Sequence, residues 1–246
     1  MTDKFICNNC GNCCRFEKEV QKFVNYGNFY KWGGSEFTPG LALLDFEVSR
    51  YNSAAEKLGI SLKIEPEVML IDIINKQNII IHWKLAEKSC PFLKENKCLI
   101  YEFRSLICQM HPLDTTLKEY PLAENYKLDL EFIESPCPKQ VFKKNQSVSM
   151  TYREFLKTIY DAYGDAFKAR YILETIDIYY LQALDFLEGT GKVTWMYGPD
   201  PDEAFRISQN WPQKSISDFL KENNVYFDFE ARAKKEVKKI IESLEH

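Results

Sequence analysis

Four thiols in eight positions, CNNCGNCC over residues 7–14, constrain this chain more than any other stretch of it. Cys7-x2-Cys10-x2-Cys13 puts three thiolates on a short loop at the spacing that serves three corners of a cubane cluster. The intervening asparagines and Gly11 suit such a loop, because small or left-handed-tolerant residues let several thiolates and amide N–H groups converge on one point. Gly11 is therefore expected to have a structural task. Four cysteines in a polar, asparagine-rich loop would make a poor core. Cys13 and Cys14 are neighbours, and adjacent side chains of extended backbone project to opposite sides. Either one ligates while the other packs, or the two serve two neighbouring centres.

Four more cysteines follow, Cys90, Cys98, Cys108 and Cys137, and the chain beyond them contains none. A tetrahedral zinc and a cubane cluster each take four protein ligands, so eight thiols suffice for two sites. In a reducing compartment such a pattern points to metal or redox chemistry before disulfides, which would require export or a hyperthermophilic source. Taken singly, Cys108 and Cys137 are each as consistent with a buried core thiol as with a ligand.

The rest of the composition removes other classes. The 246 residues, 45% hydrophobic and 14% aromatic, suit one large globular domain or two small ones with a core that needs no staples. Net charge is −4, and no block of Lys or Arg is long enough to track phosphates, so nucleic acid is not the expected partner. Without an apolar run of signal-peptide length, or of the ~18 residues a membrane helix needs, the expectation is a soluble cytoplasmic protein with no membrane partner. The closing Leu244-Glu245-His246 resembles the start of a histidine tag, which leaves His82 and His111 for functional arguments.

Along the chain, residues 15–40 read as mostly irregular, with breakers at Gly33-Gly34 and Pro39-Gly40. Leu41, Leu44, Val48, Tyr51, Ala55 and Leu58 recur at helical spacing and end on Gly59, which predicts one helix. EVMLIDIIN and IIIHWKL, separated by KQN, predict a β-hairpin with His82 alternating in its second strand. Residues 90–98 read as a loop with a tight turn at Glu95-Asn96-Lys97, followed by a short helical stretch from about Tyr101 that Pro112 closes. KLDLEFIE alternates like a strand, and Cys137 sits between two prolines. From Thr151-x-x-Glu154, a capping-box pattern, the periodicity turns helical, with a break near Gly164. The final run sets Ala231, Val237, Ile240, Ile241 and Leu244 on one side of a helix. The expected class is α+β: a small cysteine-rich metal-binding domain with a β-hairpin over residues 1–140, then a mainly helical region over 141–246.

The order of these motifs carries a resemblance. CxxCGxCC is followed by CPFLxxxxCxIYExR and then by a cysteine four residues on, with a proline after it. In this chain these are Cys7, Cys10, Gly11, Cys13 and Cys14, then Cys90, Pro91, Phe92, Leu93, Cys98, Ile100, Tyr101, Glu102 and Arg104, then Cys108 and Pro112. The set resembles the YkgJ family of cysteine-cluster proteins, described as zinc- or iron-chelating, and Cys137-Pro138 resembles a Cys-Pro the family often carries. The likeness covers about residues 7–140. It departs where the family usually has Arg-Pro and this chain has Arg104-Ser105, and where an Arg usually follows the last motif cysteine and Gln109 stands. The helix carrying Cys108 is therefore expected to be capped differently. His111, at C-x-x-H spacing from Cys108, is a candidate substitute ligand beside thiols that already suffice.

The expected chemistry is metal binding by Cys7, Cys10, Cys13, Cys14, Cys90, Cys98, Cys108 and Cys137, with a 4Fe-4S cluster favoured by the ferredoxin-like triplet and zinc as the alternative. Arg104 and Tyr101 are candidate cofactor-binding residues, Arg104 as a donor to coordinating thiolates or else as a surface ion-pair partner. Glu102 reads as a solvated face residue. More distantly, flagellin lysine methylases carry a similar cysteine region, which implies a redox or protein-modifying activity. No catalytic residue is assigned: no GxGxxG follows a strand, and Glu17 occupies the position where a radical enzyme's third cysteine would fall. The competing expectation is a zinc-structured adaptor whose helical region docks a protein. Tyr160, Tyr163, Tyr171, Tyr179, Tyr180 and Trp195 would line its groove, unless they are core, as aromatics at helical spacing usually are.

Overall fold

A computed structural model describes residues 4–7, 11, 14, 29–32, 40–113, 117–118, 126–129 and 147–245. In chain order its elements are β1 (Tyr30–Lys31), β2 (Leu41–Leu44), α1 (Asp45–Leu58), β3 (Ile64–Asp72), β4 (Gln77–Leu85), β5 (Leu93–Lys94) and β6 (Lys97–Cys98). A 3-10 turn at Tyr101–Phe103 leads into α2 (Leu106–Met110), β7 (Tyr126–Asp129), β8 (Ser147–Met150), α3 (Tyr152–Tyr163) and α4 (Asp165–Gly189). The chain continues through α5 (Pro201–Ser208), β9 (Gln213–Ser215), α6 (Ile216–Glu222) and α7 (Phe229–Glu245). The class is α+β. Two compact units divide these elements, one from residues 14–100 and 179–227 and one from residues 1–13, 101–178 and 228–246, with the boundary inside α4.

The first unit is built on an antiparallel sheet of order β1-β3-β4-β2, to which β9 adds in parallel beside β4. β9 lies along residues 78–80 of β4, and β2 along residues 82–85, so both use the edge that β3 leaves. Gly40 enters β2 where any Cβ would strike the Leu85 carbonyl, which restricts that position to glycine. The hairpin of β3 and β4 forms as the sequence predicts, with its turn moved to residues 73–76. Asp72 moves it: its carboxylate accepts the Asn75 Nδ2 at 2.6 Å and the Gln77 Nε2 at 2.9 Å, closing the chain before Ile73 and Ile74 can extend β3. The predicted helix likewise starts later. Leu41–Leu44 pairs with β4, and the helix begins at Asp45, where the Glu47 carboxylate accepts the Leu44 N–H at 2.9 Å. Tyr30, Met69, Ile71, Ile80, Met196 and Ala204 make one core of this unit.

The second unit packs α3, α7 and the start of α4. Thr151 and Glu154 form the capping box their spacing predicts, and α3 stops at Gly164. Its core gathers Phe155, Leu156, Ile159, Ala162, Tyr163 and Phe167 with Leu113, Leu117 and Leu244. On α7, Val237 and Leu244 are buried as expected. Ala231 faces solvent and Ala233 is buried instead, because the stripe runs back from Val237 by four-residue steps to Ala233 and Phe229 and leaves Ala231 on the opposite face. β7 and β8 pair antiparallel, Tyr126 opposite Met150. Most of the predicted irregular stretch 15–40, the remainder of KLDLEFIE, and Cys137 lie outside the described residues.

Candidate metal centre

In the sheet unit, backbone hydrogen bonds tie Cys90 to Cys14, and a short ribbon carries Cys98. The Cys90 N–H donates to the Cys14 carbonyl at 2.8 Å, and the Leu93 N–H donates back to the Cys90 carbonyl at 3.0 Å. Leu93 stands opposite Cys98 in the β5–β6 ribbon. The turn falls where the sequence places it: Glu95 (φ 49°) and Asn96 (φ 60°) are both left-handed, the conformation of a two-residue hairpin loop whose twist matches its strands. Phe92, fully buried and edge-on to Tyr51 at 5.5 Å, pins the ribbon into the unit's interior. Cys90 is buried, and Cys14 and Cys98 are half-buried.

In the helical unit, Cys108 rides on α2. Ser105 caps that helix, its Oγ accepting the Cys108 N–H at 3.3 Å, so the serine that replaces the family's usual proline supplies a different cap. Gln109, standing where an arginine is usual, donates its Nε2 to the Arg104 carbonyl. The Arg104 guanidinium lies over the Tyr101 ring, 3.8 Å from its centroid, and its Nε donates to the Tyr101 carbonyl at 3.1 Å. Both residues line a cavity of about 870 Å³ together with Cys7, His111, Tyr160 and Lys168. Phe5 anchors the segment leading to Cys7 by donating its N–H to the Ala162 carbonyl at 2.8 Å and packing on Tyr163. Burial, and then the nearby Arg104 charge, push the His111 imidazole down to about 4, so at neutral pH it is uncharged. Glu102 is exposed, as expected of a solvated residue.

Cys7, Cys14, Cys90, Cys98 and Cys108 all carry thiols. Gly11 is buried with φ 72°, the left-handed geometry that its place in the cysteine loop demands. Cys10, Cys13 and Cys137 lie outside the described residues. Among those described, no three His, Cys, Asp or Glu side chains already surround a common point. The donor set nonetheless suits zinc or iron, being soft thiolates supplied by a tight hairpin, a short helix and the N-terminal cysteine motif.

The sequence reading passed over two groups. Glu47 on α1, and Glu67 and Lys84 in the β3–β4 hairpin, are buried in the sheet unit, as is His82, which the sequence does single out; the two hairpin charges signal themselves only by interrupting β-branched runs. In the helical unit, Arg170 and Glu174 form a buried ion pair one turn apart on α4, at 2.6 Å. Of the aromatics expected in a groove or a core, Tyr163, Tyr179, Tyr180 and Trp195 are buried, and Tyr160 and Tyr171 half-buried. Among the described residues no helix is long and apolar enough to cross a membrane.

A family model, CxxCxxCC, described as "putative zinc- or iron-chelating domain", matches residues 6–137, more than half of the chain. No curated protein and no solved structure matches it.

Proposed function

Because the chain belongs to the CxxCxxCC family of zinc- or iron-chelating domains, we propose that its cysteines hold a 4Fe-4S cluster through thiolates, in a redox or protein-modifying role. The observation that carries the reading is the sequence spacing of Cys7, Cys10 and Cys13, with a left-handed Gly11 between the second and third, since three thiolates each separated by two residues are the ferredoxin manner of gripping a cubane. The remaining ligands come from Cys14, Cys90, Cys98, Cys108 and Cys137. When bound, such a cluster supplies one-electron chemistry. Arg104, held over Tyr101, offsets the negative charge of coordinating thiolates by donating hydrogen bonds to them. His111, kept neutral, is available as a nitrogen ligand or a hydrogen-bond partner. Residues 1–140 are the metal-binding region, and the helical region 141–246 receives a protein substrate or partner, in the cytoplasm.

A zinc-structured adaptor is the second reading. It draws on the β5–β6 ribbon that carries Cys98 and on Cys90 just before it, whose N–H and carbonyl both make backbone hydrogen bonds, as suits a closed structural site. Metal and sulfide analysis of protein purified without oxygen separates the two. The expected result is about four irons per chain with matching sulfide, and a broad absorption near ~400 nm that dithionite bleaches. Both are lost when Cys10→Ser and Cys98→Ser are combined. One or two zincs without colour would replace the cluster by the adaptor, and absence of any metal would sink both.

A further inference from the structure

The stretch that follows Cys108 is gripped from outside its own sequence. Arg170 and Glu174 lie one turn apart on α4, each more than nine-tenths buried, with Nε to Oε1 at 2.6 Å. Arg170 Nη1 also donates to the Met110 Sδ at 3.5 Å, two residues beyond Cys108. Glu174 accepts the Leu117 N–H on both carboxylate oxygens, at 2.9 and 3.0 Å, and the Lys118 N–H at 2.9 Å. From the other side the Tyr152 hydroxyl donates to the Leu117 carbonyl at 2.6 Å. Lys118 then lies over the Tyr171 ring, 4.3 Å away, and pairs with Glu236.

Two ionised groups in an apolar interior add little net stability over hydrophobic residues of the same volume, and their best-attested use is to fix a register. Here the register they fix is that of the chain on the C-terminal side of Cys108, held at Met110 by the guanidinium and at Leu117 and Lys118 by the carboxylate. The Ser105 cap holds the N-terminal side. Cys108 thus sits on a short helix whose flanks are both fixed by side-chain hydrogen bonds.

We propose that Arg170 and Glu174 are positioning residues for Cys108, and that closing this clamp and binding metal at Cys108 are coupled. The inference rests on the thiolate metal centre proposed above. Coupling of this kind is reciprocal: whatever the clamp adds to metal affinity, metal must return to the clamp. The Leu117 and Lys118 amides, both bonded to Glu174, report that return directly.

The experiment is hydrogen exchange on the full-length reduced chain, metal-free and after addition of cobalt(II), whose thiolate complexes are coloured. The expected result is colour, together with slowing of exchange at Leu117 and Lys118 on the order of tenfold. Amides of β3 and β4 should slow less. In Arg170→Met the slowing is lost and cobalt passes faster to a competing chelator, whereas Arg170→Lys, which keeps the charge, recovers part of both. If Arg170→Met fails to fold, the wild-type exchange comparison decides alone. Failure of the wild-type chain to take up cobalt at thiolates would overturn the metal reading itself. Colour without slowing at the two amides, or with equal slowing throughout the chain, would overturn the clamp and leave the metal reading standing.

Discussion

The hairpin at residues 90–98 and the stretch at residues 101–118 both present family cysteines, but they are held in different ways. The hairpin that carries Cys90 and Cys98 is closed by main-chain bonds among its own residues, with two left-handed turn residues and one buried phenylalanine as anchor, and the Cys90 N–H ties it to the Cys14 carbonyl. Cys108 sits between a serine cap and a following stretch, Met110 to Lys118, that side chains of α4 hold from 56 to 60 positions away. A locally closed hairpin carries its geometry into almost any surroundings. A stretch held by remote ionised groups takes its geometry from the rest of the unit, so damage to either is felt by both.

The sharpest way to break this contrast is Glu174→Ala. Removing the carboxylate strands the Arg170 charge in the interior and leaves the Leu117 and Lys118 N–H groups without their acceptor. Truncating one partner of a buried ion pair costs about 3–5 kcal/mol. Urea unfolding followed by circular dichroism should show a loss of that size, and a loss below about 1 kcal/mol would mean that Leu117 and Lys118 are held by something other than the pair.

Acid should also find the remote-held stretch first. Burial, with Arg104 adding to it, sets the folded His111 near 4, well below its unfolded value of about 6.5. Between those two values the unfolded chain binds the additional proton, so stability is intact above about pH 6.5 and falls as the pH drops toward 4. The loss over that window is about 2–3 kcal/mol in the metal-free protein. Unfolding free energies measured at pH 7 and pH 4.5 should differ far less in His111→Gln than in wild type. An equal fall in both would assign the acid sensitivity to other groups.

The same contrast explains what could be read from the sequence. Turn chemistry at Glu95-Asn96-Lys97, the Thr151 and Glu154 capping box, the Gly164 break and the β3–β4 hairpin were legible because each is settled by residues a few positions apart. The start of α1 was misjudged because Leu41 and Leu44 satisfy helical spacing and strand pairing alike, and only pairing with β4 selects the strand. The cysteine motifs and the changed cap of α2 were likewise local. Arg170 and Glu174 were illegible: on a periodic helix they look like an ordinary surface pair at i, i+4, and nothing nearby in sequence marks the loop they hold. The buried Glu67 and Lys84 were hidden for a related reason, since polar letters alternating in a hairpin ordinarily face water.

The smallest effect belongs to the hairpin and tests its self-sufficiency. Asn96 holds φ at 60°, where a side chain with a Cβ costs roughly 1–2 kcal/mol unless, as with asparagine, local hydrogen bonding offsets part of it. Asn96→Ala should therefore lower stability by about 1 kcal/mol, while Asn96→Gly, which removes the Cβ, should stay within a few tenths of wild type. Neither change should alter exchange at Leu117 or Lys118, because the hairpin's geometry is its own. If Asn96→Ala loosens those amides as well, the two cysteine-bearing stretches share one cooperative structure, and the separation between a local and a remote scaffold no longer holds.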